Sequence, residues 1–155
     1  MEQASHECSW SVSIGYFRLI TESIRLYSNA TMQFATLADI LDGRAANAKE
    51  IHKEYEADSL RKHLEIIDTD GLIPINVTIL ESSYDLIEGA RPTLGQVIGD
   101  PVSFATAVSL MLFDLLVEEN RSELVTKLGL AFMEADAYKA AAKKKNPKVV
   151  PIRPG

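Results

Sequence analysis

His52, Glu56, Ser59 and His63 recur at intervals of four, three and four residues, which on a continuous helix puts them within about 60° of one another. Two imidazoles and a carboxylate on one face can ligate zinc or another divalent ion, so His52, Glu56 and His63 are the candidate metal ligands. The pattern falls short of the known helical motifs. His63 stands two turns from Glu56, and neither an HExxH nor an ExxH pair of the di-iron type occurs. Lys49, Lys53, Arg61 and Lys62 share the segment with interleaved acids, which is how a solvated or partner-facing surface reads. A metal-dependent enzyme is therefore the third-ranked reading, and no cofactor is expected.

Other reactive spacings resolve the same way. Asp68-Thr69-Asp70-Gly71 resembles part of a calcium loop, but aligning Gly71 with the loop glycine puts Ile66 and Val77 where carboxylates are required. Ser59-Leu60-Arg61-Lys62 is an SxxK without the companion motifs of acyl transfer, and no nucleophile elbow, P-loop or dinucleotide glycine pattern is present. His6 precedes Cys8 by two residues, a spacing for a thiol–imidazole pair, although their place near the terminus predicts a frayed end. The expectation is a protein without catalytic residues.

The elements that must carry these residues read as helical almost throughout, predicting an all-α fold. Phe17, Ile20, Ile24 and Tyr27 define a first helix near 9–28 that Trp10 and Ile14 extend upstream. Phe34, Leu37, Ala38 and Leu41 mark a shorter one that Asp42-Gly43 stops, and a long charged helix follows to about residue 67. Over that third segment Leu60 and Leu64 oppose Ala48, Ile51, Tyr55 and Ile66, so either one helix is contacted from two sides or it breaks near Asp58-Ser59; the continuous form is preferred. Pro74 opens another helix to Gly89, with a short strand over 73–80 as the alternative because Ile75, Val77 and Ile79 alternate. GARPTLGQVIGDP, rich in glycine and proline, predicts an irregular connection. Leu124, Leu128, Ala131, Ala135 and Tyr138 make a last amphipathic helix.

At the centre stands a helix over about 101–118, capped by Asp100 and with Pro101 at its first position. It is too short and too polar at Ser103, Thr106, Ser109 and Asp114 for a membrane span. Its wheel has two apolar faces and a narrow strip where Asp114 joins Glu118 at a wet edge, because an unpaired buried carboxylate is costly. Five or six helices form a single bundle around it. Leu110, Phe113 and Val117 are predicted to stay uncovered and to serve as an interface, with a homodimer as corollary.

Charge divides the chain of 155 residues, whose net charge is −6, into a helical domain over 1–142 and a basic tail over 143–155. Lys143, Lys144, Lys145, Lys148 and Arg153 stand in a tail without acids, and prolines at 147, 151 and 154 predict a flexible, unstructured terminus. The remainder is acidic. A lone cysteine and the absence of an export signal predict a cytoplasmic protein. A helix-turn-helix fits the gross order of Thr36 to Tyr55, but Glu50 and Glu54 on its second helix repel phosphate, so nucleic-acid binding through 36–55 and the tail is the runner-up. The sequence best supports a small regulatory or adaptor protein that binds a protein partner, or an inhibitor presenting its acidic surface.

Overall fold

The computed structural model describes residues 4–120, so the last amphipathic stretch and the basic tail lie outside the described residues. Strand β1 (Ser5–Val12) leads into helix α1 (Ile14–Thr31), then α2 (Leu37–Arg44), a 3-10 turn over Ala45–Glu50, α3 (Ile51–Glu54) and α4 (Ala57–Ile66). Strand β2 (Ile73–Leu80) follows, then α5 (Glu81–Ile98) and α6 (Phe104–Asn120).

The fold is mostly helical, and its two strands correct the all-α expectation. They pair antiparallel with His6 opposite Ile79, Cys8 opposite Val77, Trp10 opposite Ile75 and Val12 opposite Ile73. All eight of these side chains lie buried or half-buried, whereas Ser5, Glu7, Ser9, Ser11, Pro74, Asn76 and Thr78 are exposed. This is the alternation of a sheet with one wet face. Trp10 does not prolong the first helical stripe because a period of two fits SHECSWSV, and Ser13 starts α1 by accepting the Tyr16 amide at 3.1 Å. The strand alternative for 73–80 is the one that forms: each strand lacks a stable partner locally, and only the other provides it.

Helix boundaries shift for equally local reasons. Gly43 lies inside α2, where a side chain would meet the Tyr27 hydroxyl, and Asp42 accepts the Leu80 amide at 3.0 Å instead of ending the helix. The long third helix is not continuous. It breaks at Tyr55 and Glu56, both extended, three residues before the Asp58-Ser59 alternative, and the break lets Ile51, Tyr55 and Leu60 all reach the core. The predicted irregular connection is helical as far as Ile98: Pro92 stands on the exposed side of α5, while Ile87, Ala90, Leu94 and Ile98 are buried, and Gly99 at φ 94° closes the helix. Ser103, not Asp100, caps α6, accepting the Thr106 amide at 3.1 Å.

Helix α6 is buried on every side from Ala107 to Val117. It packs against α1, α3, α4, α5 and the 3-10 turn. Helices α1 and α6 pack together, with the Tyr16 hydroxyl donating to the Ala105 carbonyl; Tyr27 abuts Gly43 of α2, whose last residue Arg44 holds Asp114. Leu110 and Phe113, expected to stay uncovered as an interface, are fully buried, and Val117 is nearly so. Among the described residues no helix is long and apolar enough to cross a membrane.

Two glycines test this packing in opposite directions. A Cβ at Gly71 would lie 2.2 Å from the Val12 carbonyl oxygen, whereas one at Gly89 on α5 meets nothing. Gly71→Ala should lower unfolding stability by about 2 kcal/mol or more, and Gly89→Ala should raise it by about 0.5–1 kcal/mol, read from denaturant midpoints.

Candidate functional site

The three candidate metal ligands do not converge. His52 is half-buried on α3, Glu56 is exposed at the break, and His63 is sealed inside α4, so the break that serves the core also disperses the set. In the segment 36–55 read as helix-turn-helix, α2 passes directly into the 3-10 turn without a separating loop, and α3 is one turn long. The tail lysines and Arg153 lie outside the described residues.

Asp114 is the carboxylate that the structure gathers groups around. It is 5% exposed rather than on a wet edge. Arg44 donates to Oδ2 at 2.8 Å, and the Tyr55 hydroxyl donates to Oδ1 at 2.7 Å. Burial raises the Tyr55 pKa above the ordinary phenol value, and the negative charges of Asp114, Glu54 and Glu118 raise it further. Oxygens of Glu54, Asp114 and Glu118 come within 4.8 Å of one another, the donor set of a hard cation. Arg44 already supplies positive charge to the buried member, and both Asp114 oxygens are engaged, so the network reads as a structural ion pair. Breaking it from one side should be costly: Arg44→Met is expected to lose about 3 kcal/mol in chemical denaturation, and adding Asp114→Asn should recover part of that by removing the stranded charge.

His63 and Ser109 form a second buried pair. Nε2 and Oγ stand 2.8 Å apart, and the ring tilts against Phe113 at 4.6 Å. Serine beside imidazole is the start of a nucleophilic dyad, but both residues are fully buried and no substrate reaches them. Burial depresses the His63 pKa to about 3, only partly opposed by Ser109. The unfolded chain takes up this proton near 6.5 while the folded chain does not, so the stabilisation is complete above pH 6.5 and is lost as pH falls toward 3. Wild type should therefore lose stability between pH 6.5 and 5, above the carboxylate range, and His63→Leu should flatten that slope in urea melts.

A different constellation lies at the margin of the core, where the inner face of the sheet meets α5 and α6. The inner edge of β1 meets the start of α5 and α6 in a run of half-buried rings: His6 stacks on Tyr84 at 3.6 Å, Tyr84 lies 5.4 Å from Phe104, and Phe104 meets Trp10 edge-on at 5.7 Å. Acids border it. Glu81, Asp85 and Glu88 fall with Tyr84 in a sector of about 100° on α5, and Glu81 accepts from or abuts His6 Nδ1 at 3.2 Å. Arg91 is the basic group of this face; it is held by Glu88 at 2.7 Å and by the Val102 carbonyl at 2.6 Å.

The field of this strip is legible in its neighbours. Burial raises the Cys8 thiol above its ordinary pKa, and Glu88 and Glu81 raise it further; Tyr84 also moves up, by partial desolvation first and then chiefly by Glu88. A thiol held protonated in this way is a weaker nucleophile than a free one. The His6–Cys8 pair is not a frayed end, since β1 holds both residues in register.

Sequence reasoning missed this strip because its members come from residues 6–10, 81–88 and 104. The signal that could have found it is the strict alternation of His6, Cys8, Trp10 and Val12. A surface groove of about 300 Å³ lies between α4 and the α5–α6 turn, and Arg61 on its wall is spent on the Ile98 carbonyl and Asp58. No family model, curated protein or solved structure matches the chain, so its fold and chemistry are argued from its own residues alone.

Proposed function

We propose that this protein is a non-catalytic adaptor or regulator that captures a basic protein segment on its acidic, aromatic strip. The observation that carries the reading is the run His6–Tyr84–Phe104–Trp10, partly exposed and bordered by Glu81, Asp85 and Glu88. Aromatic rings on a rigid sheet and helix lose little entropy on binding and present π faces to lysine and arginine. The carboxylates beside them steer and retain the cation.

Charge elsewhere favours the same partner. Residues 4–120 hold 18 acids against 8 bases, and Arg25, Arg44, Lys53, Arg61 and Arg91 are each already paired with a carboxylate. Such a surface repels nucleic acid. The buried state of the His63–Ser109 pair supports a binding role over hydrolysis. The lone cysteine, Cys8, supports residence in a reducing compartment such as the cytoplasm.

The chain's single tryptophan is Trp10, which makes the strip its own reporter. A lysine- and arginine-rich peptide titrated into the protein should change Trp10 emission saturably, with affinity falling roughly tenfold as salt is raised from low to physiological strength. The triple substitution Glu81→Gln, Asp85→Asn, Glu88→Gln should abolish that salt dependence. Binding left intact by the triple substitution, or no binding at low salt, would sink the proposal.

A further inference from the structure

We propose that the free edge of β1 is a self-association site, where a second copy of this chain adds its own β1 antiparallel about a two-fold axis and completes a four-stranded sheet. The site is made of backbone groups, and the side chains of residues 5–11 set its register.

The pairing of β1 with β2 shows which backbone groups are spent. The Glu81 amide donates to the Ala4 carbonyl at 2.9 Å, so positions 4 and 81 form a hydrogen-bonded pair, and in an antiparallel ladder every second pair does the same. His6, Cys8, Trp10 and Val12 therefore bond toward β2, while the amides and carbonyls of Ser5, Glu7, Ser9 and Ser11 point away from it. The Leu80 amide has the matching phase: it stands opposite Ser5, points off the far edge of β2, and donates to Asp42 at 3.0 Å.

The two edges differ. That of β2 is closed, because α2 packs against it, Asp42 takes the Leu80 amide, and Pro74 has no amide to offer. That of β1 is open. Among the described residues nothing bonds the outward amides and carbonyls of Ser5, Glu7, Ser9 and Ser11, and these residues are all exposed. The strand also lacks the devices that blunt an edge: its register runs one to one from Ser5 to Val12 without a bulge, no proline or lysine interrupts it, and Glu7 is its one acid.

The sequence of β1 favours its own copy as the occupant. Laid antiparallel with every outward residue matched, Ser5 faces Ser11 of the partner subunit and Glu7 faces Ser9 of the partner subunit. This gives about eight backbone hydrogen bonds and sets a hydroxyl opposite each carboxylate. A shift of two residues is worse in either direction: one sets Glu7 against Glu7 of the partner subunit, and the other leaves Ser5 unmatched. On the inner face the matched register brings the half-buried ring of His6 against Trp10 of the partner subunit. Since β2 is closed, each protomer has one edge to give, and the assembly stops at two.

The test uses the whole chain under reducing conditions. Sedimentation from micromolar to millimolar concentration should show monomer passing to dimer. Amide hydrogen exchange read by NMR should then alternate along β1, with His6, Cys8, Trp10 and Val12 protected throughout, and Ser5, Glu7, Ser9 and Ser11 gaining protection as the dimer forms. Ser9→Pro removes an outward amide that β2 does not use, so it should keep the circular dichroism of the fold and weaken the dimer at least about tenfold, two bonds being lost across the two-fold axis. Should that variant fail to fold, the exchange pattern of wild type still decides. A monomer at millimolar concentration with its outward amides unprotected would overturn the proposal and leave the edge to an extended segment of another protein. Outward protection independent of concentration would assign the edge to this chain's own residues and overturn it equally. A dimer that leaves these amides unprotected, or that a folded Ser9→Pro variant forms at full strength, would place the contact elsewhere and overturn it as well.

Discussion

Asp114 is the constraint around which the helical part of this fold is arranged. A carboxylate in the middle of an otherwise apolar helix must either reach water or be paired, and α6 is enclosed on all sides at that level. The pairing requires a guanidinium from the end of α2 and a phenol from the end of α3, so both chain segments must close over α6 at one place. The break after α3 follows from this. Tyr55 cannot meet Asp114 on a straight helix that also turns Leu60 and His63 inward, and an extended Tyr55-Glu56 pair reconciles the two. An ion pair of this kind adds little net stability over an apolar substitute, but it penalises arrangements in which Asp114 has no partner.

The second organising feature is the pairing of residues 5–12 with residues 73–80. Neither strand has a hairpin partner beside it in sequence; the segment they close contains α1 through α4, so the sheet forms only with those helices in place. Its inner face then lies on α5 and on the start of α6. Trp10 meets Phe104, the Tyr16 hydroxyl sits beside Trp10 while donating to Ala105, and burial raises its pKa above the ordinary phenol value. The sheet thereby joins the N-terminal residues to the central helix.

The aromatic strip is a by-product of that junction. Rings needed to seal the margin of a two-stranded sheet remain half-exposed, because two strands are too narrow to cover the face of α5. Acids at the first turns of α5 suit the positive end of the helix dipole as well as the surface they create. One set of residues thus satisfies helix electrostatics and closes the sheet, and it is the set on which the proposed capture of a basic segment rests.

Part of the fold was legible from the sequence alone. The central helix expected over 101–118 forms as α6, and the first helical stripe forms within α1, although that helix buries Tyr16, Leu19, Ile20 and Leu26 and leaves Phe17 exposed; both follow from a 3.6-residue period, which local sequence expresses. The strand over 73–80 was visible as an alternative to helix, since Ile75, Val77 and Ile79 fit both periods. What tertiary structure alone decided was which period won, because a strand's stability depends on a partner some 70 residues away. It also decided that Asp114 is buried, since a helical wheel shows direction but not what lies opposite. The candidate metal face on His52, Glu56 and His63 assumed a continuous helix, and core packing broke it. The strip was hidden for the same reason: its residues share no segment, and only the closure of the chain through a paired strand brings His6, Tyr84 and Phe104 together.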